Sequence, residues 1–264
     1  MINILHISDI HFGKAPKPKA PEKVVAAVRG LNTDPSQMFL VITGDVAYSG
    51  KAEQYQKAED YVSRLQEALA TEFGADVHLV VCPGNHDCNF PQDTGVRDAV
   101  VNEIRSKAEL PSSTAMVEQC TSVQKNFFEW MDHMEIPLET EHDLCWILKT
   151  DGECGPKVCF RVLNTAWMST KTEQQSQLFF PISSVPDFLP SDLHITLLHH
   201  PYPWLESQNG RELRRTIEAT SDLVLSGHEH DCDQYMVMRG GRDKTGYVEG
   251  GSFASKTNAF NVIV

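Results

Sequence analysis

Five short apolar runs punctuate the chain: "INILHI" (2–7), "MFLVIT" (38–43), "VHLVVC" (77–82), "LHITLL" (193–198) and "SDLVLS" (221–226). Each is rich in Val, Ile and Leu and gives way at once to polar residues or glycine, the pattern of strands buried on both faces of a sheet. Between the second and third runs, residues 51–73 carry Tyr55, Tyr61, Val62, Leu65, Leu69 and Phe73 on one helical stripe. Ser49 stands where it could cap the start of that helix, and Gly74 where it could cap the end. Strands alternating with helices predict an α/β domain. Between the third and fourth runs the chain reads as two helices (95–109 and 114–134) followed by strands at 144–150 and 157–164. Residues 233–239 and 243–249 read as a hairpin around "RGGRD". The stretch "GKAPKPKAPEK" (13–23) reads as a solvated Pro/Lys loop.

Composition narrows the class. With 264 residues and 41% hydrophobic content the chain can bury a real core, as one large α/β domain or two small ones. Its net charge of −13 disfavours a broad basic grip on nucleic acid. It leaves room for a small anionic ligand, because bound cations reverse the local sign. No run of 18 apolar residues is present, so no membrane partner is expected. The seven cysteines lack tight zinc spacing and read as reduced thiols of a cytoplasmic protein. Cys88 reads as a space-filling thiol. The closing "AFNVIV" is apolar with no polar tail, and predicts a chain cut from a longer protein with additional domains.

Candidate chemistry lies immediately after the apolar runs. The first is followed by "SDIHFG" (Asp9, His11), the second by "GDVAYSG" (Asp45), and the third by "GNHD" (Asn85, His86, Asp87). The fourth is followed by "HHPYPW" (His199, His200) and the fifth by "GHEH" (His228, His230). Six of the 11 histidines fall in these segments. In open α/β sheets, binding crevices form at the carboxyl ends of strands. Asp9 and His11 are two residues apart, as are His228 and His230, so in extended backbone each pair faces one side. Gly44, Gly84 and Gly227 stand just before the polar groups, where tight turns would help. Asp, His and Asn without Cys make an N/O donor set suited to Mn, Fe, Zn or Ni.

D-x-H, GD, GNHD, the histidine of "LLHHP" and GHEH, in this order, resemble the signature of the calcineurin-like metallophosphoesterase superfamily, over residues 9–230. The resemblance implies a four-layer αββα sandwich of two mixed sheets flanked by helices, as a single domain over 1–264 with a partly helical insertion at about 90–160. It implies a site for two divalent or trivalent metal ions. Asp9, His11 and His230 would hold one ion, Asn85, His199 and His228 the other, and Asp45 would bridge them. His86 would be the non-ligand catalytic residue, contacting the phosphoryl oxygen or protonating the leaving alkoxide. The implied activity is hydrolysis of phosphodiesters or phosphomonoesters by metal-activated water. Two divalent ions bring about four positive charges, and Asp9 and Asp45 offset two of them.

Several residues have a plainer alternative. Asp87 reads equally as support for the His86 ring or as an Asx turn stabilising its loop. Tyr202 and Trp204 read as packing beneath their loop rather than as a platform for a base. His200 reads as substrate contact or as a buried, backbone-satisfied ring. His6, His78 and His194 read as core-edge residues, and His133 and His142 as surface residues. Specificity is expected from 90–160 and from the loops after Tyr48 and Pro201. The competing functional classes are a non-catalytic sensor or interaction module of a larger protein, and a nuclease.

Overall fold

The apolar runs are continuous because each strand serves two cores at once. In the strand Val158–Leu163, Val158, Phe160 and Val162 join the core between the two sheets, while Leu163 joins the core beneath the outer helices. In Leu193–Leu198 the division falls between Leu197 and Leu198, and in Leu223–Ser226 between Leu225 and Val224. With both faces turned to apolar cores, polar residues in these strands are few, and Arg161 and Thr196 are hydrogen-bonded to each other.

The structure is a computed structural model that describes residues 1–90, 95–107, 113–139, 143–150, 155–239, 243–255 and 259–264. The first half runs β1 (Ile2–Ile7), α1 (Pro21–Arg29), β2 (Gln37–Thr43), α2 (Ala52–Phe73) and β3 (Val77–Cys82). Then come α3 (Gly95–Lys107), α4 (Thr114–Thr121), α5 (Lys125–His133), β4 (Cys145–Lys149) and β5 (Val158–Leu163). The chain continues with β6 (Leu193–Leu198), α6 (Ser207–Glu218), β7 (Leu223–Ser226), β8 (Asp233–Arg239), β9 (Asp243–Glu249) and β10 (Asn261–Ile263).

One sheet has the order β10-β1-β2-β3, with β1, β2 and β3 parallel and β10 antiparallel to β1. The other has the order β4-β5-β6-β7-β9-β8; its centre is parallel and both its edge strands are antiparallel. The sheets face each other through side chains such as Phe39 and Phe160, whose ring centroids are 4.9 Å apart. Helices α1 and α2 share a core with the first sheet, and α3 and α6 share one with the second. Four layers result: helices, two mixed sheets and helices. Both sheets carry their parallel strands in the same sense, so β1, β2, β3, β6 and β7 all deliver their following loops to one edge. A hydrogen bond from Thr43 Oγ1 to the carbonyl oxygen of Ser226 joins the two sheets there.

Several local expectations are corrected. Residues 13–23 are not loop throughout, because Pro21 opens α1 at its first turn, where a missing N–H costs nothing. The expected helix 114–134 is two helices separated by a short 3-10 turn at Ser122–Gln124. Helix α2 is not capped by a Ser49 hydroxyl at its N-cap. The Gln54 side chain reaches back to accept from the backbone N–H groups of Ser49 and Lys51. At the other end Gly74 is left-handed, at φ 63°, and its N–H bonds to Ala70 as expected. The hairpin exists as β8 paired with β9, but its tip at 240–242, like His142 and Cys154, lies outside the described residues.

Candidate metal centre

The seven sequence-predicted ligands converge at the shared edge of the two sheets. Asp9 and His11 follow β1, Asp45 follows β2, Asn85 follows β3, His199 follows β6, and His228 and His230 follow β7. The donor atoms of Asp9, His11 and His230 lie within 4.8 Å of one another, and so do those of Asp9, Asp45 and His199. Asp9 Oδ1 is 3.2 Å from His230 Nε2, and Asp45 Oδ2 is 3.8 Å from His11 Nε2. The other carboxylate oxygen, Asp45 Oδ1, is 3.5 Å from His199 Nε2. Asp45 thus spans two clusters, one oxygen toward each. Asn85 Oδ1 is 3.2 Å from His199 Nε2 and 3.1 Å from His228 Nδ1.

This convergence requires a strained backbone. Asp9, His11, Asp45, His228 and His230 all have positive φ, between 54° and 78°. The left-handed region costs a non-glycine residue about 1–3 kcal/mol, so the surrounding structure must hold all five in place. Two glycines make space for them. A Cβ on Gly44, itself at φ 89°, would strike the His199 ring, and one on Gly84 would strike the Asp45 carboxylate.

The donor chemistry fits a cation. His199 Nδ1 is 2.7 Å from the Thr43 carbonyl oxygen, which can only accept, so Nδ1 carries the ring proton. Burial pushes the His199 pKa down to about 4, which keeps the ring neutral near pH 7. His199 Nε2 therefore presents a lone pair toward Asn85 Oδ1 and Asp45 Oδ1, with His228 Nδ1 3.2 Å away and the His86 backbone N–H donating to Asp45 Oδ1. In addition, both ring nitrogens of His11 are buried with no hydrogen-bond partner among the described residues. Lone pairs facing one another in a dry site repel unless a positive ion lies between them. Burial likewise drives His11 down to about 3 and lowers His228. Burial pushes the Asp9 carboxylate up, but His230, His199 and Ser8 together outweigh it, bringing Asp9 to about 2, and Asp9 in turn raises His230. Asp45 is pushed well up by burial and by the nearby Asp9.

His86 lies at the margin of this set, with a ring nitrogen within 4.8 Å of the donor atoms of His11 and Asp45. Its Nδ1 is 2.7 Å from the Tyr48 carbonyl oxygen, and the Tyr48 ring stacks on it at 5.2 Å. Asp87 does not hold the His86 ring. Its carboxylate accepts from the backbone N–H groups of Val46, Ala47 and Gly84 and from the Tyr55 hydroxyl, so the loop-stabilising alternative is the correct one. By this means Asp87 ties the loops bearing Asp45 and Asn85 to each other and to α2.

His200 is fully buried behind the ligand cluster. Its Nδ1 lies 3.2 Å from Thr165 Oγ1 and its Nε2 3.2 Å from Glu173 Oε2. Glu173 was not anticipated, because "TKTEQQ" carries no local signal and the pairing spans 27 residues. Trp204 sets the edge of its ring against His228 at 4.1 Å and donates to Glu229. Tyr202 packs against Tyr247. His6 is wholly buried, His78 stacks on Phe39, His194 stacks on Phe188, and His133 is exposed. Cys88 is buried, and that burial pushes its thiol pKa well up.

Among known proteins, a sequence model described as calcineurin-like phosphoesterase matches residues 2–232. No curated protein sequence matches the chain significantly. Solved structures similar to it include a dimetal phosphatase from Danio rerio, with a TM-score of 0.46 and 12% identity, covering 99% of this chain and 91% of that one. Another is GAP50, described as the anchor in the inner membrane complex of Plasmodium, with a TM-score of 0.47 and 13% identity over 95% of this chain and 71% of that one. Vacuolar protein sorting 29 from Cryptosporidium parvum gives a TM-score of 0.35 and 14% identity, covering 95% of this chain and 74% of that one.

Proposed function

The chain belongs to the calcineurin-like phosphoesterase family, and on that premise we propose that it is a hydrolase of phosphodiesters or phosphomonoesters working with two metal ions. The observation that carries the reading is the convergence of nitrogen and oxygen donor atoms on one point: His199 Nε2, with its tautomer fixed by Thr43, beside Asn85 Oδ1 and Asp45 Oδ1. In this reading Asp9, His11 and His230 hold one ion, Asn85, His199 and His228 hold the other, and Asp45 lies between them. The N/O donor set suits Mn, Fe, Zn or Ni. When bound, such ions supply Lewis acidity toward a phosphoryl oxygen and make water acidic enough to attack at neutral pH.

The remaining roles belong to the chain's own groups. The Tyr48 carbonyl fixes a His86 proton on Nδ1, so Nε2 is the nitrogen left for the substrate; only the imidazolium form, with a second proton on Nε2, can donate to the phosphoryl oxygen or protonate the leaving alkoxide. The Thr43 carbonyl fixes the His199 tautomer in the same way, directing its lone pair inward. Asp87 keeps the loops of Asp45 and Asn85 in register. The chain acts in this reading as one domain whose segment at 90–160 shapes substrate choice. The cysteines among the described residues are all unpaired, which supports a reducing, cytoplasmic setting. No helix among the described residues is long and apolar enough to cross a membrane.

The test is turnover of bis(p-nitrophenyl) phosphate and p-nitrophenyl phosphate by purified protein with added Mn²⁺, with and without chelator. Metal-dependent release of nitrophenol is expected. No turnover by protein that binds the metal would favour the sensor-module class instead.

A further inference from the structure

Two clefts adjoin beside His86. The first, of 330 Å³, is lined by Tyr48, Lys51, Asn85, His86, Phe90 and Lys171 among others. The second, of 250 Å³, is lined in part by Asp98, Asn102 and Arg105 and shares Phe90, Thr170 and Lys171 with the first. The shared walls make them one continuous groove leading away from the metal centre. Its size falls in the range of about 300–1,000 Å³ usual for ligand sites.

The charge of this groove opposes that of the chain. Overall there are 36 carboxylate residues against 23 lysines and arginines. Among the described residues, the first cleft is lined by two lysines and no carboxylate, and the second by Arg105 and Lys171 against the carboxylate of Asp98. Lys14 adds a cation over the Tyr48 ring at 4.9 Å. A local reversal of sign within an acidic surface attracts an anion.

Two further features point to the shape of that anion. Phe90 forms a wall common to both clefts, backed by the Arg97 guanidinium 5.4 Å from its centroid. Arg97 is itself only 3% exposed and is anchored by donation to the carbonyl oxygens of Cys120 and Trp167. An aromatic wall fixed in this way contributes stacking at low ordering cost. Arg105 lines the second cleft, and its Nε donates to the Gln177 carbonyl oxygen, which holds the guanidinium in that wall. A guanidinium held in a cleft wall offers an anionic oxygen charge-assisted hydrogen bonds at little ordering cost.

We propose that this groove is a nucleotide subsite, holding a planar ring beside Phe90 and a second phosphate at Arg105 and Lys171 while the scissile phosphate lies at the metal centre. This rests on the phosphoesterase reading above. It favours a dinucleotide-type diester with a further phosphate over a cyclic mononucleotide, whose lone phosphate would leave the second cleft unfilled.

The experiment compares dinucleotides joined by a hydrolysis-resistant methylphosphonate linkage, with and without a 5′- or 3′-terminal phosphate. Affinities are measured by calorimetry on the metal-loaded protein and on Arg105→Gln and Lys171→Gln. In the unmutated protein one terminal phosphate should tighten binding by on the order of tenfold, the worth of a charge-assisted hydrogen bond. In either variant that ratio should fall toward one. A merely structural defect would weaken both ligands together and preserve the ratio. Lys171 is exposed, so its replacement guards against a folding failure at the half-buried Arg105. Equal affinity for all ligands in the unmutated protein, or an undiminished ratio in both variants, overturns the subsite. Bis(p-nitrophenyl) phosphate carries no second phosphate. Its failure to turn over, beside an intact tenfold ratio, would overturn the catalytic reading and leave the subsite standing.

Discussion

His86 and Tyr48 are coupled twice: the imidazole Nδ1 lies 2.7 Å from the Tyr48 carbonyl oxygen, and the Tyr48 ring stacks on the imidazole 17° from parallel. The ring therefore has its rotation fixed and one nitrogen committed. Asp45 has a different relation to the site, with one oxygen toward His11 and the other toward His199.

These relations separate two variants. Asp45→Ala should lose metal and activity together, because it removes the charge shared by both clusters. His86→Ala should keep near-normal metal content and lose on the order of 10² to 10⁴ in rate, the usual worth of a positioned acid. If proton delivery dominates, the loss should shrink for nitrophenyl esters, whose leaving groups need no proton. Bound metal by elemental analysis, together with rates on activated and unactivated esters, decides the matter. Loss of metal from His86→Ala equal to that from Asp45→Ala would make His86 a ligand.

Asp87→Ala should be severely destabilising. It leaves three buried backbone N–H groups and the Tyr55 hydroxyl without their acceptor, at about 1–3 kcal/mol for each unmatched group. A loss of at least about 4 kcal/mol is expected, read as a large fall in the urea midpoint. Asp87→Asn, which retains one acceptor oxygen, should lose less. A variant within about 1 kcal/mol of the unmutated protein would show that water replaces the carboxylate.

Chelation should abolish turnover and lower the melting temperature, and a divalent ion should restore both. An ion at a hundred times its dissociation constant adds about 2.7 kcal/mol per site. Calorimetric melting with and without Mn²⁺ measures this. An unchanged melting temperature at saturating metal would argue against binding to the folded chain.

In metal-free protein, stability should fall with acid in a defined window. His6 and His199 are wholly buried, and burial lowers each from about 6.5 to about 4. The unfolded chain takes up these protons first, so the associated stability is complete above pH 6.5 and is lost as pH falls toward 4. Each ring accounts for about 3 kcal/mol across that window. Urea midpoints in chelator at pH 7.5 and 4.5 measure the loss. His6→Gln should flatten its share, and an equal slope in that variant would assign the loss to other groups.

The readable parts of the fold were those governed by local periodicity. The strands that precede the ligand motifs begin and end within two residues of expectation, because their apolar runs are sharply bounded by polar residues. Helix α2 carries its stripe and its terminal glycine in plain view. Helix α1 was obscured by the Pro/Lys composition before it, although Pro21 followed by Glu22 is a helix start. The break within 114–134 follows no interruption of the apolar spacing, since Val123 and Phe127 continue it. The convergence of the site residues could be anticipated because parallel strands deliver their ends to one edge. Most partners of Asp87 could not, because apart from Gly84 its donors come from a loop about 40 residues away and a helix 32 residues away. Glu173 behind His200 and Arg105 in the outer cleft escaped for the same reason: tertiary placement defines them, and neighbouring sequence does not.

The left-handed backbone at Asp9, His11, Asp45, His228 and His230 bears on how fast this site can be filled and emptied. A pocket whose donors must first be gathered binds its ion at the speed of that rearrangement. Here the unfavourable geometry at five positions is braced by the strands that precede it and by the glycines that make room for it. Exchange of one divalent ion for another should then run at the pace of diffusion and of shedding the ion's own water. The occupant would be set by which metal the surroundings supply, and could change within the lifetime of a single folded molecule.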